Sequence, residues 1–237
     1  MASETAALRE APPVLPLGHE EVQAVLRGGI RRGALHEVFA VPGHEAAAAG
    51  FAAGLALCLS RKNPLLWIGQ NFAAQEQGGL CPTGLFEFGL DPSRLVYLAV
   101  AQAQDALRAA GDALTCASLG AVIIEVTGHP RILDLTASRR LVLACERQGV
   151  PAVLLRLGAA PQASAAETRW LVKAASSSAA SENWGQPAFE AGLIRNRSGR
   201  LGQFVMAWSC DDGRFQDAKT AFGAVVPPAF DRQAEAA

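Results

Sequence analysis

Residues 34 to 60 read ALHEVFAVPGHEAAAAGFAAGLALCLS. Ala34 to Ala40 is a strand-like run, and Val41-Pro42-Gly43-His44 is turn material. Ala46 to Leu59 is apolar almost throughout, but its length falls short of the ~20 residues a membrane span needs, and glycines interrupt it. The spacing predicts a helix buried in a globular core. A strand, a glycine-containing loop and an apolar helix together form the context of a phosphate-binding loop.

Working outward, Leu65 to Ile68 (LLWI) and Arg94 to Val100 (RLVYLAV) read as further strands. Apolar residues at 103, 106, 107, 110, 113 and 114 recur at helical spacing. Gly120 to Val126 (GAVIIEV) and Pro151 to Leu157 (PAVLLRL) read as strands buried on both faces. Between them Thr136 to Gln148 reads as a helix, with Asp134 or Thr136 as N-cap. Strand and helix alternate, which predicts an α/β fold: a mainly parallel sheet with helices on both faces.

After residue 158 the pattern changes. Arg169 to Lys173 alternates like an antiparallel strand, and Phe189 to Arg197 with Leu201 to Trp208 predicts a C-terminal antiparallel hairpin turning at Ser198-Gly199-Arg200. His19 to Leu26 reads as a short helix ending at Gly28-Gly29. The expected organisation is a flexible tail at 1 to 16 and a single domain at 17 to 210, with a mobile Ser/Ala-rich loop at 174 to 187. Residues 211 to 237 are expected to form a C-terminal extension with a disordered end.

The chain has 237 residues, a formal net charge of −1 and half its residues hydrophobic. That size suits one core, and the charge excludes a protein that is basic as a whole, as dedicated duplex binders are. The five cysteines form no CxxC pair and no metal-ligand spacing. With an N-terminus too acidic for a secretory leader, they read as reduced cytoplasmic thiols. No metal and no cofactor is expected.

The loop lacks the parts that phosphate chemistry needs. A working loop places a Lys on the phosphates and a Ser/Thr hydroxyl on Mg²⁺. In Val41-Pro42-Gly43-His44-Glu45-Ala46-Ala47 those positions fall near Ala46 and Ala47. Pro42 removes a donor, and Glu45 puts a carboxylate at the helix start, where phosphate would sit. The chain's lysines, Lys62, Lys173 and Lys219, lie elsewhere. The expectation is a structural loop and no ATPase, with nucleotide binding without hydrolysis left as the lesser alternative.

The order of elements brings a family into view. GGIRRGALHEVFA (28 to 40) resembles the lead-in and first core strand of RecA. Leu66-Trp67-Ile68 resembles its second core strand, FGLDPSRLVYLAV (88 to 100) the approach to the third, and GAVIIEV the Walker B strand. More specifically, GALHEVFA, LLWI, GLDPSRL, LDLTASRRLVLACERQGVPAVLLR and LIRNRSGRLGQFVMAW resemble ImuA, the shortened RecA relative of damage-inducible mutagenesis cassettes. The resemblance covers roughly residues 17 to 210. It implies a RecA-like fold and a non-catalytic role in SOS-linked, error-prone translesion synthesis. The partners it implies are ImuB, which is the polymerase-like protein of the cassette, an error-prone replicative-type DNA polymerase and, as a further candidate, RecA. Direct DNA contact stays open. Asn71 stands where RecA carries its catalytic glutamate, and Glu125 holds the Walker B position, where a structural role, capping backbone or pairing with an arginine, is expected. Two alternatives remain: an ATPase completed in trans by a partner, and a SulA-like inhibitor of cell division.

With catalytic parts missing, surfaces must carry the function. Arg139, Arg140 and Arg147 are expected to share one helix face around Leu143. Arg195, Arg197 and Arg200 form a second basic cluster at the hairpin turn. Both are candidate contacts for an acidic protein partner or for phosphates, and Trp184, inside the Ser-rich segment, is a candidate anchor. His36 reads as a satisfied strand histidine.

Overall fold

A computed structural model describes residues 13–71, 78–177 and 185–218. Its centre is β3 (Leu35–Ala40), with every residue buried. Around it lie β4 (Leu65–Gln70), β5 (Leu95–Val100), β6 (Ala121–Thr127), β7 (Ala152–Leu157), β8 (Thr168–Ala174), β9 (Ala188–Asn196), β10 (Gly202–Ser209) and β11 (Arg214–Asp217), in the order β11-β10-β9-β8-β3-β7-β6-β4-β5. From β8 through β5 every pairing is parallel, whereas β9, β10 and β11 run antiparallel. The expected α/β class is what the chain adopts.

Helix α1 (Glu20–Val25) is short, and α2 (Glu45–Ser60) packs on one face of the sheet against β3, β6, β7 and β8. Apolar residues go all round α2 because β11 reaches over it as well. Gly54 makes that approach possible: a Cβ there would lie 2.8 Å from the Phe215 ring and 3.0 Å from that of Trp208. Phe51, Trp170, Trp208 and Phe215 pack together in this layer, with ring centroids 4.9 Å apart for Trp208 and Phe215 and 5.4 Å apart for Phe51 and Trp170. A short helix, α3 (Pro82–Glu87), and a 3-10 turn at Pro92–Arg94 precede β5. On the opposite face lie α4 (Ala103–Ala113) and α5 (Leu135–Gln148), which cover a second core of Leu35, Ile68, Val122, Ile124 and Leu154. Asp134 caps α5 by accepting from the Ala137 N–H at 2.7 Å, which settles the choice between two N-caps.

Three features depart from the sequence reading. Val14–Leu15 is a strand, β1, paired antiparallel with β2 (Ile30–Arg31), so ordered structure begins before residue 17. At the other end β11 extends the sheet past residue 210, held by the fully buried Phe215. Elements this short carry too few residues to show a period, and one or two buried side chains fix each. Strand β8 is the switch of the sheet: it is antiparallel to β9, as its alternation suggested, but parallel to β3. Half of the Ser/Ala-rich segment, residues 178–184 with Trp184, lies outside the described residues.

Candidate functional site

Three backbone donors of the loop between β3 and α2 have partners within the protein. The Val41 N–H donates to the Val172 carbonyl at 2.9 Å, and the His44 N–H donates back to the Val41 carbonyl at 2.9 Å. Gly43, at φ +83°, turns its N–H onto Glu45 Oε1 at 3.2 Å. His44 Nδ1 in turn accepts from the Ala174 N–H at 3.2 Å, which ties the loop to the end of β8. The Glu45 carboxylate therefore takes up the Gly43 N–H, and Ala46 and Ala47 follow with no side-chain donor.

Glu125 has a different partner from those expected. Its Oε2 accepts from Trp67 Nε1 at 2.9 Å, and among the described residues it neither caps backbone nor pairs with an arginine. Trp67 and Glu125 meet because β4 and β6 are neighbours in the sheet, and Trp67 is almost fully buried. Burial raises the carboxyl above its ordinary value, and the indole bond opposes that shift. Tyr97 lies close enough that its phenol is pushed up too, first by burial and then by the Glu125 charge. Asn71 is exposed just after β4, where the adjacent Gln70 Oε1 accepts from the Thr127 N–H at 2.8 Å.

A buried polar cluster went unread in the sequence. Arg169 Nε donates to Glu37 Oε2 at 2.8 Å, Ser164 Oγ donates to the same oxygen at 2.7 Å, and Arg169 Nη2 reaches Ser164 Oγ at 2.8 Å. Arg156, 1% exposed, stacks over Phe39 at 5.4 Å and donates to the Gly128 carbonyl at 3.0 Å. Burial lowers its pKa from the ordinary arginine value. One acid in ALHEVFA and one arginine in PAVLLRL were the available signals, since a charge inside an all-buried strand must find a partner.

The arginines divide differently from the sequence expectation. Arg139 and Leu143 lie one turn apart on α5 and line a groove of about 400 Å³ with Leu135, Val142, Ser164 and Ala165. Arg195 and Arg197, from the end of β9, close its other side. Two clusters far apart in sequence thus form one surface: an apolar strip, with Leu143 54% exposed, rimmed by arginines. Arg195 is steadied by donating from Nε to the Ala166 carbonyl at 3.2 Å, and no carboxylate pairs with Arg139 or Arg197 among the described residues. Arg140 does not share this face. It lines a separate groove of about 530 Å³ between α4 and α5, with Arg108, Leu107 and Ile132. Adjacent helix positions stand 100° apart, so residues 139 and 140 straddle the ridge of α5. Arg147 is exposed one turn beyond Leu143 and lines neither groove. Arg200 is exposed in the hairpin turn, which Asn196 builds by donating to the Arg200 carbonyl at 3.0 Å.

His36 is satisfied on both nitrogens, by Thr168 Oγ1 and the Arg31 carbonyl, each at 2.8 Å. Among the described residues, no helix is long and apolar enough to cross a membrane.

No protein-family model matches the chain. Over 219 residues it is 28% identical to Protein ImuA of Caulobacter vibrioides strain NA1000 / CB15N, covering 85% of this chain and 86% of that protein. The match to Protein ImuA of strain ATCC 19089 / CIP 103742 / CB 15 is the same. The chain is ImuA-like in sequence. Its structure is similar to the crystal structure of the RadB recombinase, with a TM-score of 0.57, 14% identity, and coverage of 86% of this chain and 99% of that one. The fold is RecA-like. The ImuA likeness extends over most of this chain rather than a single motif.

Proposed function

We propose that this chain is a non-catalytic accessory protein of an ImuA/ImuB-type mutagenesis system. In this reading it acts in damage-induced, error-prone translesion synthesis by holding protein partners together. The observation that carries the reading is the groove between α5 and the end of β9, where Leu143 stands exposed among Arg139, Arg195 and Arg197. An apolar strip with a charged rim suits a protein partner, because its centre excludes water while the rim selects by charge. A phosphate backbone would use the arginines but gain nothing from the leucines.

The loop after β3 supports the non-catalytic part. Its Gly43 N–H is bonded to Glu45, and it supplies neither lysine nor hydroxyl. The ImuA likeness supports an ImuB-type polymerase-like protein as the first partner, with the error-prone polymerase and RecA as further ones. Co-purification with the ImuB-type protein of the same genome tests the proposal. Leu143→Asp, with an unchanged circular dichroism spectrum, is expected to abolish capture. Capture at the wild-type level would remove the groove from the account.

A further inference from the structure

The turn between β9 and β10 is fixed more firmly than an exposed turn requires. Every hydrogen-bonding position of the Asn196 amide is used. Its Nδ2 donates to the Val25 carbonyl at 3.2 Å and to the Arg200 carbonyl at 3.0 Å. Its Oδ1 accepts from the Ser198 N–H at 3.0 Å and from Ser198 Oγ at 2.7 Å. The turn is thereby bound to the end of α1, where Arg27 follows the helix at φ +55°. That left-handed position just past a helix end usually takes glycine, and Gly28 and Gly29 stand next in the chain. The Arg27 guanidinium lies over the turn: a Cβ on Gly199 would meet Nη2 at 3.5 Å and Nε at 3.6 Å. Arg27, Arg197 and Arg200 are thus exposed around one rigid turn. Among the described residues none of the three pairs with a carboxylate. Glu167, whose carbonyl accepts from the Arg197 N–H at 3.0 Å, has its own carboxylate on Arg31 at 3.3 Å.

We infer that this turn holds the phosphates of single-stranded DNA, through Arg27, Arg197 and Arg200. Three guanidinium groups without internal acids call for anions from outside, and a turn that is already rigid holds them in place before the ligand arrives. The site is small, as the near-neutral charge of the whole chain demands. A long duplex footprint needs a broad basic face, whereas a flexible strand can bring two or three phosphates round a single turn. Leu201, 57% exposed, follows Arg200 and offers an apolar surface that the face of an unpaired base can cover and a stacked duplex cannot. The place in the fold is distinct. Asn196 pairs with Thr168, the first residue of β8, and Thr168 with His36 near the start of β3. The turn therefore stands at the N-terminal end of the parallel strands. The loops that follow β3, β6 and β7 leave from the opposite end, one strand length or about 20 Å away. Arg197 borders the groove beside α5 as well, while Arg27 and Arg200 do not line it. Strand and protein partner can then be held side by side.

Fluorescence anisotropy of a labelled oligothymidylate, titrated with the full chain over a range of salt concentrations, tests the inference. The expected result is binding whose logarithm falls with the logarithm of salt at a slope of about −2, the value for three phosphate contacts on a single strand. Arg27→Glu and Arg200→Glu are each expected to weaken it at least fivefold, and both to leave capture of the ImuB-type protein unchanged. Arg108→Glu, an exposed charge reversal on α4, leaves DNA binding at the wild-type level. Arg27→Gly separates a ligand contact from a structural one, because glycine relieves the left-handed backbone. It is expected to keep or raise the melting temperature and still lose DNA affinity at least fivefold. No binding of oligothymidylate at low salt, or equal losses from Arg108→Glu and Arg200→Glu, would overturn the inference. So would competition by duplex DNA or by polyglutamate as strong as that by unlabelled oligothymidylate at equal charge.

Discussion

The Glu45 carboxylate accepts the Gly43 N–H at 3.2 Å, so the loop after β3 carries its own anion. The expected outcome is no ATP turnover above background in a phosphate-release assay. Removing the acid should not create turnover either, because Glu45→Ala leaves alanine at both 46 and 47. Turnover by the wild-type protein that disappears in Glu125→Ala would show that the loop is a working one.

Glu125 and Trp67 make a paired prediction. Glu125→Gln keeps an oxygen to accept the indole N–H and removes a partly buried charge, so stability to urea should change by less than about 1 kcal/mol. Glu125→Ala leaves the Trp67 donor buried and unpaired, at a cost of about 1–3 kcal/mol. Equal effects from the two variants would remove the hydrogen bond as the reason for the acid.

The buried cluster separates a paired charge from a poorly paired one. Glu37→Ala removes the oxygen that accepts from Arg169 and Ser164 and leaves two buried guanidinium groups without their acid, and is expected to lose about 3–5 kcal/mol. Arg156→Met keeps the length of a side chain whose Nε has no partner, and is expected to be near neutral or stabilising. Urea unfolding of both variants checks this, and a reversed order would contradict the arrangement of the cluster.

Much of the fold was legible because hydrophobic order over six or more residues is a direct consequence of burial. Strands β3, β6 and β7 and helices α2 and α5 could all be read that way. What escaped has identifiable causes. β1 and β11 are shorter than any period, and Phe215 alone holds β11 in the core. Glu37 and Arg169 are 132 positions apart, so no local pattern links them. The two arginine clusters were each visible, but their meeting across one groove is a property of β9 crossing beside α5. Conversely, Arg139 and Arg140 look like a unit in the sequence and are parted by the helix turn.

His36 gives the pH dependence. Burial first of all, with the Arg31 charge as a smaller cause, lowers it from the ordinary 6.5 to about 4, so the folded protein holds it neutral. The unfolded chain takes up the proton at higher pH than the folded one. The stability from the neutral ring is therefore complete above about pH 6.5 and lost as pH falls towards about 4, by about 3 kcal/mol in all. The difference in unfolding free energy between wild type and His36→Gln should shrink across that window. A difference constant with pH would contradict the burial argument.

The ridge of α5 sets two exposed arginines, Arg139 and Arg140, against different grooves. Titration calorimetry of the ImuB-type partner against Arg139→Glu and Arg140→Glu compares them at matched stability, as exposed charge reversals shift folding by only about 0.5 kcal/mol or less. Binding is expected to be at least tenfold weaker for Arg139→Glu, weaker still with Arg197→Glu added, and of wild-type affinity for Arg140→Glu. Equal losses from Arg139→Glu and Arg140→Glu, or no loss from either, would contradict it.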